Sequence, residues 1–209
     1  MRRLDPTTWK RKHHYSFFRE QSFPYLALTA RVSIHGLMQA REKNVRSPFS
    51  LFLFCVTKAA NEVPQLRQRI RPEPLPETVV EHASVDPAFV VEVEGELFNY
   101  ATVTASDDID QFCADIRAVS VANRTDPVLA PFDGQRDNLI YTTCIPWLDF
   151  SQITHPVDTR QVDSVPRIAW GKFAPDGTVS VGLQAHHALV DGRHVSQFFE
   201  RLEQQLQSL

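Results

Sequence analysis

The sequence predicts one α/β domain, and two periodicities with a corner between them carry that expectation. Val179, Val181, Leu183 and Ala185 alternate with Thr178, Ser180, Gly182 and Gln184, the period of two that marks a half-buried strand. Val195, Phe198, Phe199, Leu202 and Leu206 then recur at helical spacing. Between them lies His186-His187-Ala188-Leu189-Val190-Asp191-Gly192, an HHxxxDG pattern at a strand-to-helix corner. Carrying the strand's phase one residue on puts His187 on the apolar side and His186 on the polar side. A partly buried, neutral imidazole suits a general base, which can draw a proton from a hydroxyl near neutral pH.

The 209 residues fit a single domain, 1–209, with a sizeable core, and patterned strands run on both sides of the proline-rich loop 71–76. A net charge of −3 shows no basic surplus for nucleic acid. Cys55, Cys113 and Cys144 lack metal-ligand spacing and read as thiols of a reducing compartment, with no metal expected. The apolar run 49–60 is too short to span a bilayer, and no signal peptide is visible. A soluble cytoplasmic protein is the expectation.

In chain order, Asp5 to Trp9 reads as a turn leading into a basic and aromatic segment, Lys10 to Phe18. Leu26, Leu28, Ala30, Val32 and Ile34 form an alternating strand, ended by His35-Gly36, and a short polar helix follows through Lys43. Ser47-Pro48 starts a helix that is apolar nearly all round from Phe49 to Asn61 and is closed by Pro64. Ser106 is placed to cap a helix whose buried stripe is Ile109, Phe112, Ile116 and Val119. Residues 123–138 look irregular. Leu139 to Ile145 returns to strand composition, and Arg167 to Phe173, the Pro175-Asp176-Gly177 turn and Thr178 to His186 make a hairpin leading to the corner.

Several segments resemble the chloramphenicol acetyltransferase family of CoA-dependent acyltransferases. The corner is similar to its active-site signature, the run from Trp9 to its N-terminal segment, and Val85 to Val91 to its Val-Asp-Pro-x-Phe stretch. Thr143-Cys144-Ile145-Pro146-Trp147-Leu148-Asp149-Phe150 is similar to Ser-x-x-Pro-Trp-x-x-Phe, with threonine at the serine position. The likeness runs from Trp9 to the last helix. It implies a two-layer α/β sandwich, a mixed sheet with helices packed on one face.

The resemblance also implies roles. His187 is the general base and Thr143 the hydroxyl that donates to the oxyanion of the tetrahedral intermediate. Asp191 braces the corner by pairing with Arg11, whose planar fork suits a carboxylate. Phe17, Phe18 and Phe98 line the acceptor pocket, and Lys172 and Phe173 contact CoA. Ala169 replaces a family threonine, and Ile153 and His155 stand near positions that are bulkier or more apolar in the family. Acetyl-CoA is the implied co-substrate, chloramphenicol the leading acceptor, and a homotrimer with its sites between subunits the implied assembly. Other readings are a related acyltransferase acting on another alcohol, amine or natural product, and a CoA-binding protein that has lost turnover. A dehydrogenase-complex acyltransferase core shares the corner's logic, but no lipoyl domain or long linker is present.

Overall fold

A computed structural model describes residues 1–5, 7–43, 46–73, 76–94, 96–124 and 136–209. Pro6 of the first turn, Pro74 and Leu75 of the proline-rich loop and most of the irregular stretch 123–138 lie outside the described residues. The main sheet has six strands in the order β2 (Tyr25–Ser33), β9 (Thr178–His186), β8 (Arg167–Trp170), β7 (Leu139–Cys144), β5 (Asp86–Val93) and β6 (Leu97–Thr102). β7 runs parallel to both of its neighbours and the other pairings are antiparallel, so the sheet is mixed.

One face carries the helical layer. α3 (Pro48–Glu62) buries ten residues from Ser50 to Ala60 and forms its centre. α4 (Ile109–Ala122) adds Phe112, Cys113 and Ile116, and α5 (Gly192–Gln207) adds Val195, Phe198, Leu202 and Leu206. α2 (His35–Lys43) follows β2 after the single residue Ile34, so His35 is helical rather than a strand end. The sheet's contribution to this core is one side of its pleat, with Val179, Val181, Leu183, Ala185, Ile168 and Trp170 all buried. The N-cap of α4 is Asp108, not Ser106: its carboxylate accepts from the backbone N–H groups of Asp110 and Gln111, while Ser106 accepts from Asp108 N–H at 3.0 Å. A carboxylate in the cap also meets the helix dipole, which a serine would not.

A second, three-stranded sheet stands beside the first, in the order β1 (Arg2–Arg3), β4 (Thr78–Glu81) and β3 (Gln68–Arg71). Arg69 on β3 is only 1% exposed and reaches out of this sheet. Its guanidinium donates to the carbonyls of Asp137 (2.6 Å), Leu66 (2.9 Å) and Gln68 (2.6 Å), and also to that of Leu139 at the start of β7. Burial pulls its pKa down to about 10, still far above neutrality.

The face of the main sheet away from the helices is covered over β9. Residues 149–164 lie across it: Ser180 donates to Asp149 at 2.8 Å, and the Gln184 amide exchanges hydrogen bonds with the His155 backbone at 2.8 and 3.3 Å. A Cβ at Gly182 would stand 2.4 Å from Ile153 Cγ2, so glycine lets this segment close on the strand. β9 is therefore buried on both faces, and its polar residues are interior ones.

Candidate active site

The corner departs from the phase its sequence suggests. β9 ends at His186, whose carbonyl accepts from the N–H groups of Leu189 (2.9 Å) and Val190 (3.0 Å), so the chain turns before the pleat can direct His187. His186 is the buried histidine, 3% exposed, with its ring edge-on to Tyr25 at 5.4 Å. Burial is the main reason its pKa falls to about 4. His187 is the half-buried one, pinned by its own N–H to the Pro24 carbonyl at 2.7 Å.

His187 Nδ1 lies 2.9 Å from the carbonyl oxygen of Val190. A carbonyl can only accept, so Nδ1 carries the proton, and in the neutral ring Nε2 keeps its lone pair. The ring is stacked on Phe18, centroid to centroid 3.7 Å and 16° from parallel. Phe18 comes from α1 (Lys12–Arg19), and Phe17 beside it is 63% exposed, edge-on to Phe18 at 5.1 Å. Tautomer and ring plane are thus both set by neighbours.

Asp191 and Arg11 meet as the sequence suggests. Arg11 Nη1 pairs with Asp191 Oδ2, and Nη2 donates to the His187 carbonyl at 3.3 Å. Asp191 is also the N-cap of α5, accepting from Arg193 N–H at 3.0 Å, while His194 Nδ1 accepts from Asp191 N–H at 3.1 Å. Burial lowers the His194 pKa, which keeps that nitrogen an acceptor. Burial works to raise the Asp191 carboxyl, but Arg11, His194 and the Arg193 amide together hold it below the usual carboxylate range. Asp191→Asn isolates the ion pair, because asparagine caps helices equally well. We expect a loss of about 1–3 kcal/mol, discounted from a fully buried pair for the partial exposure of the carboxylate, together with a lower rate. A thermal melt unchanged from the parent would contradict the bracing role.

Thr143 sits on β7, in register with Ala169, Gly182 and Thr29 across the sheet, on the face away from the helices. Its neighbour Thr142 faces the helical side, buried, and donates to the Ala88 carbonyl at 2.9 Å. Thr143 is two strands across and five residues back from His187. That is roughly 15–20 Å for strands about 4.8 Å apart rising about 3.3 Å per residue. One chain does not bring the imidazole and this hydroxyl together.

Phe98 is farther still, 40% exposed on the outer strand β6 with Tyr100 at 5.5 Å. Lys172 is exposed, its N–H bonded to the Leu148 carbonyl at 2.9 Å, whereas Phe173 packs inward with its ring 5.7 Å from Phe52. Near this end, a cleft of about 770 Å³ is lined by Phe49, Cys144, Pro146, Trp147 and Arg124. A second cleft of about 690 Å³ shares Phe49 and Arg124 with it and adds Arg46 and Arg117. Sequence reasoning missed these arginines, because Arg46 lies ahead of α3 while Arg117 and Arg124 lie in α4 and just past its end, and they form no motif.

The buried face also predicts an acid limit. His186 is neutral in the fold and protonates near pH 6.5 once unfolded, so its contribution to stability is full above pH 6.5 and fades as pH falls towards 4. We expect the melting temperature to drop across that window, by at most roughly 3 kcal/mol of stability for this residue. His186→Gln should flatten the curve there, and an unchanged slope would contradict the assignment.

The chloramphenicol acetyltransferase family model matches residues 1–203. Chloramphenicol acetyltransferase 3 of Escherichia coli is 27% identical over 97% of this chain and 95% of its own length. A second Escherichia coli relative, chloramphenicol acetyltransferase 2, is 25% identical over 96% and 94%. A solved chloramphenicol acetyltransferase superposes with a TM-score of 0.89 at 27% identity, covering 97% of this chain and 98% of that one. A probable dihydrolipoamide acetyltransferase from Listeria monocytogenes, TM-score 0.70 at 15% identity over 98% of this chain and 93% of its own, shares the fold. Likeness of this extent defines an acyltransferase, and this chain is an acetyltransferase. It belongs to the chloramphenicol acetyltransferase family.

Proposed function

We propose that the enzyme moves an acetyl group from acetyl-CoA to a hydroxyl of chloramphenicol, inactivating the antibiotic in the cytoplasm. The observation that carries this reading is the tautomer of His187. With Nδ1–H spent on the Val190 carbonyl and the ring held by Phe18, Nε2 is available to accept the alcohol proton. The alcohol oxygen attacks the thioester carbonyl as that proton leaves. The tetrahedral intermediate then collapses, the carbon–sulfur bond breaks, and the imidazolium returns the proton to the thiolate. Thr143 donates to the oxyanion meanwhile.

Because His187 and Thr143 of one chain lie far apart, the reaction needs two copies, and a homotrimer with its sites at the subunit boundaries is the assembly we infer. Phe17 and Phe18 then approach the acceptor from one subunit and Phe98 from the next. Arg117 and Arg124 at the paired clefts suit the phosphates of CoA, with Lys172 nearby and Phe173 packed behind. Arg46 is held by Asp110 at 2.8 Å, and Glu92, Glu94 and Glu96 also line the larger cleft. No helix among the described residues is long and apolar enough to cross a membrane.

A second reading, transfer to a more polar alcohol, rests on one observation. Beside the Thr143 row lies Arg167, ion-paired with Asp163 and 5.3 Å above the Tyr141 ring. Near it, the buried Nε2 of His155 has no hydrogen-bond partner among the described residues. Burial, then Arg167, lowers the His155 pKa to about 4, so a neutral imidazole waits there for a polar partner. Thiol release from acetyl-CoA with chloramphenicol tests the first reading. Release only with hydroxylated acceptors of greater polarity would favour the second, and CoA binding without release would leave neither.

A further inference from the structure

Helix α1 has an unusual task for its size. It is eight residues long and has no fully buried residue, yet its two ends hold the catalytic corner. Arg11, at its N-cap, grips Asp191 and the His187 carbonyl, and Phe18, in its last turn, is the ring stacked on His187. A helix this short has little stability of its own. Its partial packing through Tyr15 and Phe18 leaves the C-terminal turn in need of an anchor.

Glu77, in the connection ahead of β4, supplies one. Its carboxylate accepts from Arg19 Nε at 3.0 and 3.2 Å and from Arg19 Nη2 at 2.8 Å, a two-pronged fork, and also from the Tyr15 hydroxyl. The ion pair is three-quarters shielded from solvent, with side chains 30% and 26% exposed. Burial works to raise the Glu77 carboxyl, but the bonds from Arg19 and Tyr15 prevail and lower it. The same burial and the same carboxylate push the Tyr15 phenol upward, so it stays protonated and donating. Arg19 and Phe18 are consecutive, so the carboxylate that fixes one fixes the ring beside it.

We propose that Glu77 is a positioning residue for the acetyl-transfer reaction, acting through α1 to hold Phe18 flat against the His187 imidazole. This rests on His187 being the base, and the test separates the two ideas. Glu77→Ala frees Tyr15 and Arg19 together, while Glu77→Gln keeps the shape and an acceptor oxygen but loses the charge.

The first readout is kinetic. The turnover number should fall about 10–100-fold in Glu77→Ala and less in Glu77→Gln, since small misplacements of a catalytic group cost about that much. KM for acetyl-CoA should stay within about threefold, because the donor's clefts lie elsewhere. In a Phe18→Leu background the same change should cost little more, the non-additivity of groups acting through one another.

The second readout needs no substrate. With ¹³C-labelled histidine, the His187 ring protons, assigned through His187→Ala, should be shifted upfield by the stacked phenyl. Glu77→Ala should move them back towards free histidine. Turnover within twofold of the parent, or a fall with the His187 resonances unmoved, overturns the proposal. Should His187→Ala keep its activity, the base is misassigned, and the resonance shift alone then judges whether Glu77 holds the ring. If the alanine variant does not fold, Glu77→Gln carries both measurements.

Discussion

His187→Ala should reduce acetyl transfer by about 10²–10⁴-fold at saturating substrates, the usual worth of a positioned general base. The protein should stay folded, because the ring is half-buried and the corner is held by backbone bonds from Leu189 and Val190 to His186 and by Arg11 on Asp191. His187→Gln is the sharper probe. It preserves much of the volume against Phe18 and a donor for the Val190 carbonyl, but presents no basic nitrogen where Nε2 stands. Both variants should be equally inactive while their thermal melts differ little from the parent. Activity above a few per cent in either would remove His187 from the chemistry.

Thr143→Ala should cost about 10²–10³-fold in turnover, the loss seen when one oxyanion donor is removed, with little change in KM. Thr143→Ser should restore most of the rate, since it keeps the hydroxyl and sheds a methyl that restricts its rotamer. If serine exceeds the parent, the methyl has been misdirecting the bond. The distance between Thr143 and His187 adds a second, unusual expectation. Unfolding and refolding a mixture of the His187→Ala and Thr143→Ala proteins should regain activity that neither has alone, because mixed assemblies contain some boundaries with both groups intact. No recovery would mean that the two residues do not serve one reaction across a boundary.

The strand-to-helix corner and the helices around it were legible in the sequence because they depend on local pattern. The α5 stripe follows from helical period and the apolar α3 from an unbroken apolar run opened by Ser47-Pro48; Val195, Phe198, Leu202 and Leu206 are buried as expected, and Phe199 only partly. The pairing of Arg11 with Asp191 came from likeness to a family and not from any period, since 180 residues separate the two. β1, β3 and β4, two to four residues each, are too short to show a period, and the small sheet they form was not foreseen. His186 is on the polar face as its phase suggests, but which histidine is the buried one was misread. Alternation presumes one wet face, whereas residues 149–164 cover the polar face of β9 and bury Ser180, Gln184 and His186. The separation of Thr143 from His187 lies in strand order and register, which one sequence does not disclose.

Arg69 has a consequence for how the chain assembles. Two of the carbonyls that solvate its guanidinium are its near neighbours, Leu66 and Gln68, but the others, Asp137 and Leu139, arrive 68 and 70 residues later. Stripping water from a permanent cation before those oxygens are in place costs several kcal/mol. The small sheet therefore cannot seal early by itself. Its closure must wait for the start of β7, which makes the arrival of a distant strand the event that lets the Arg69 guanidinium leave water.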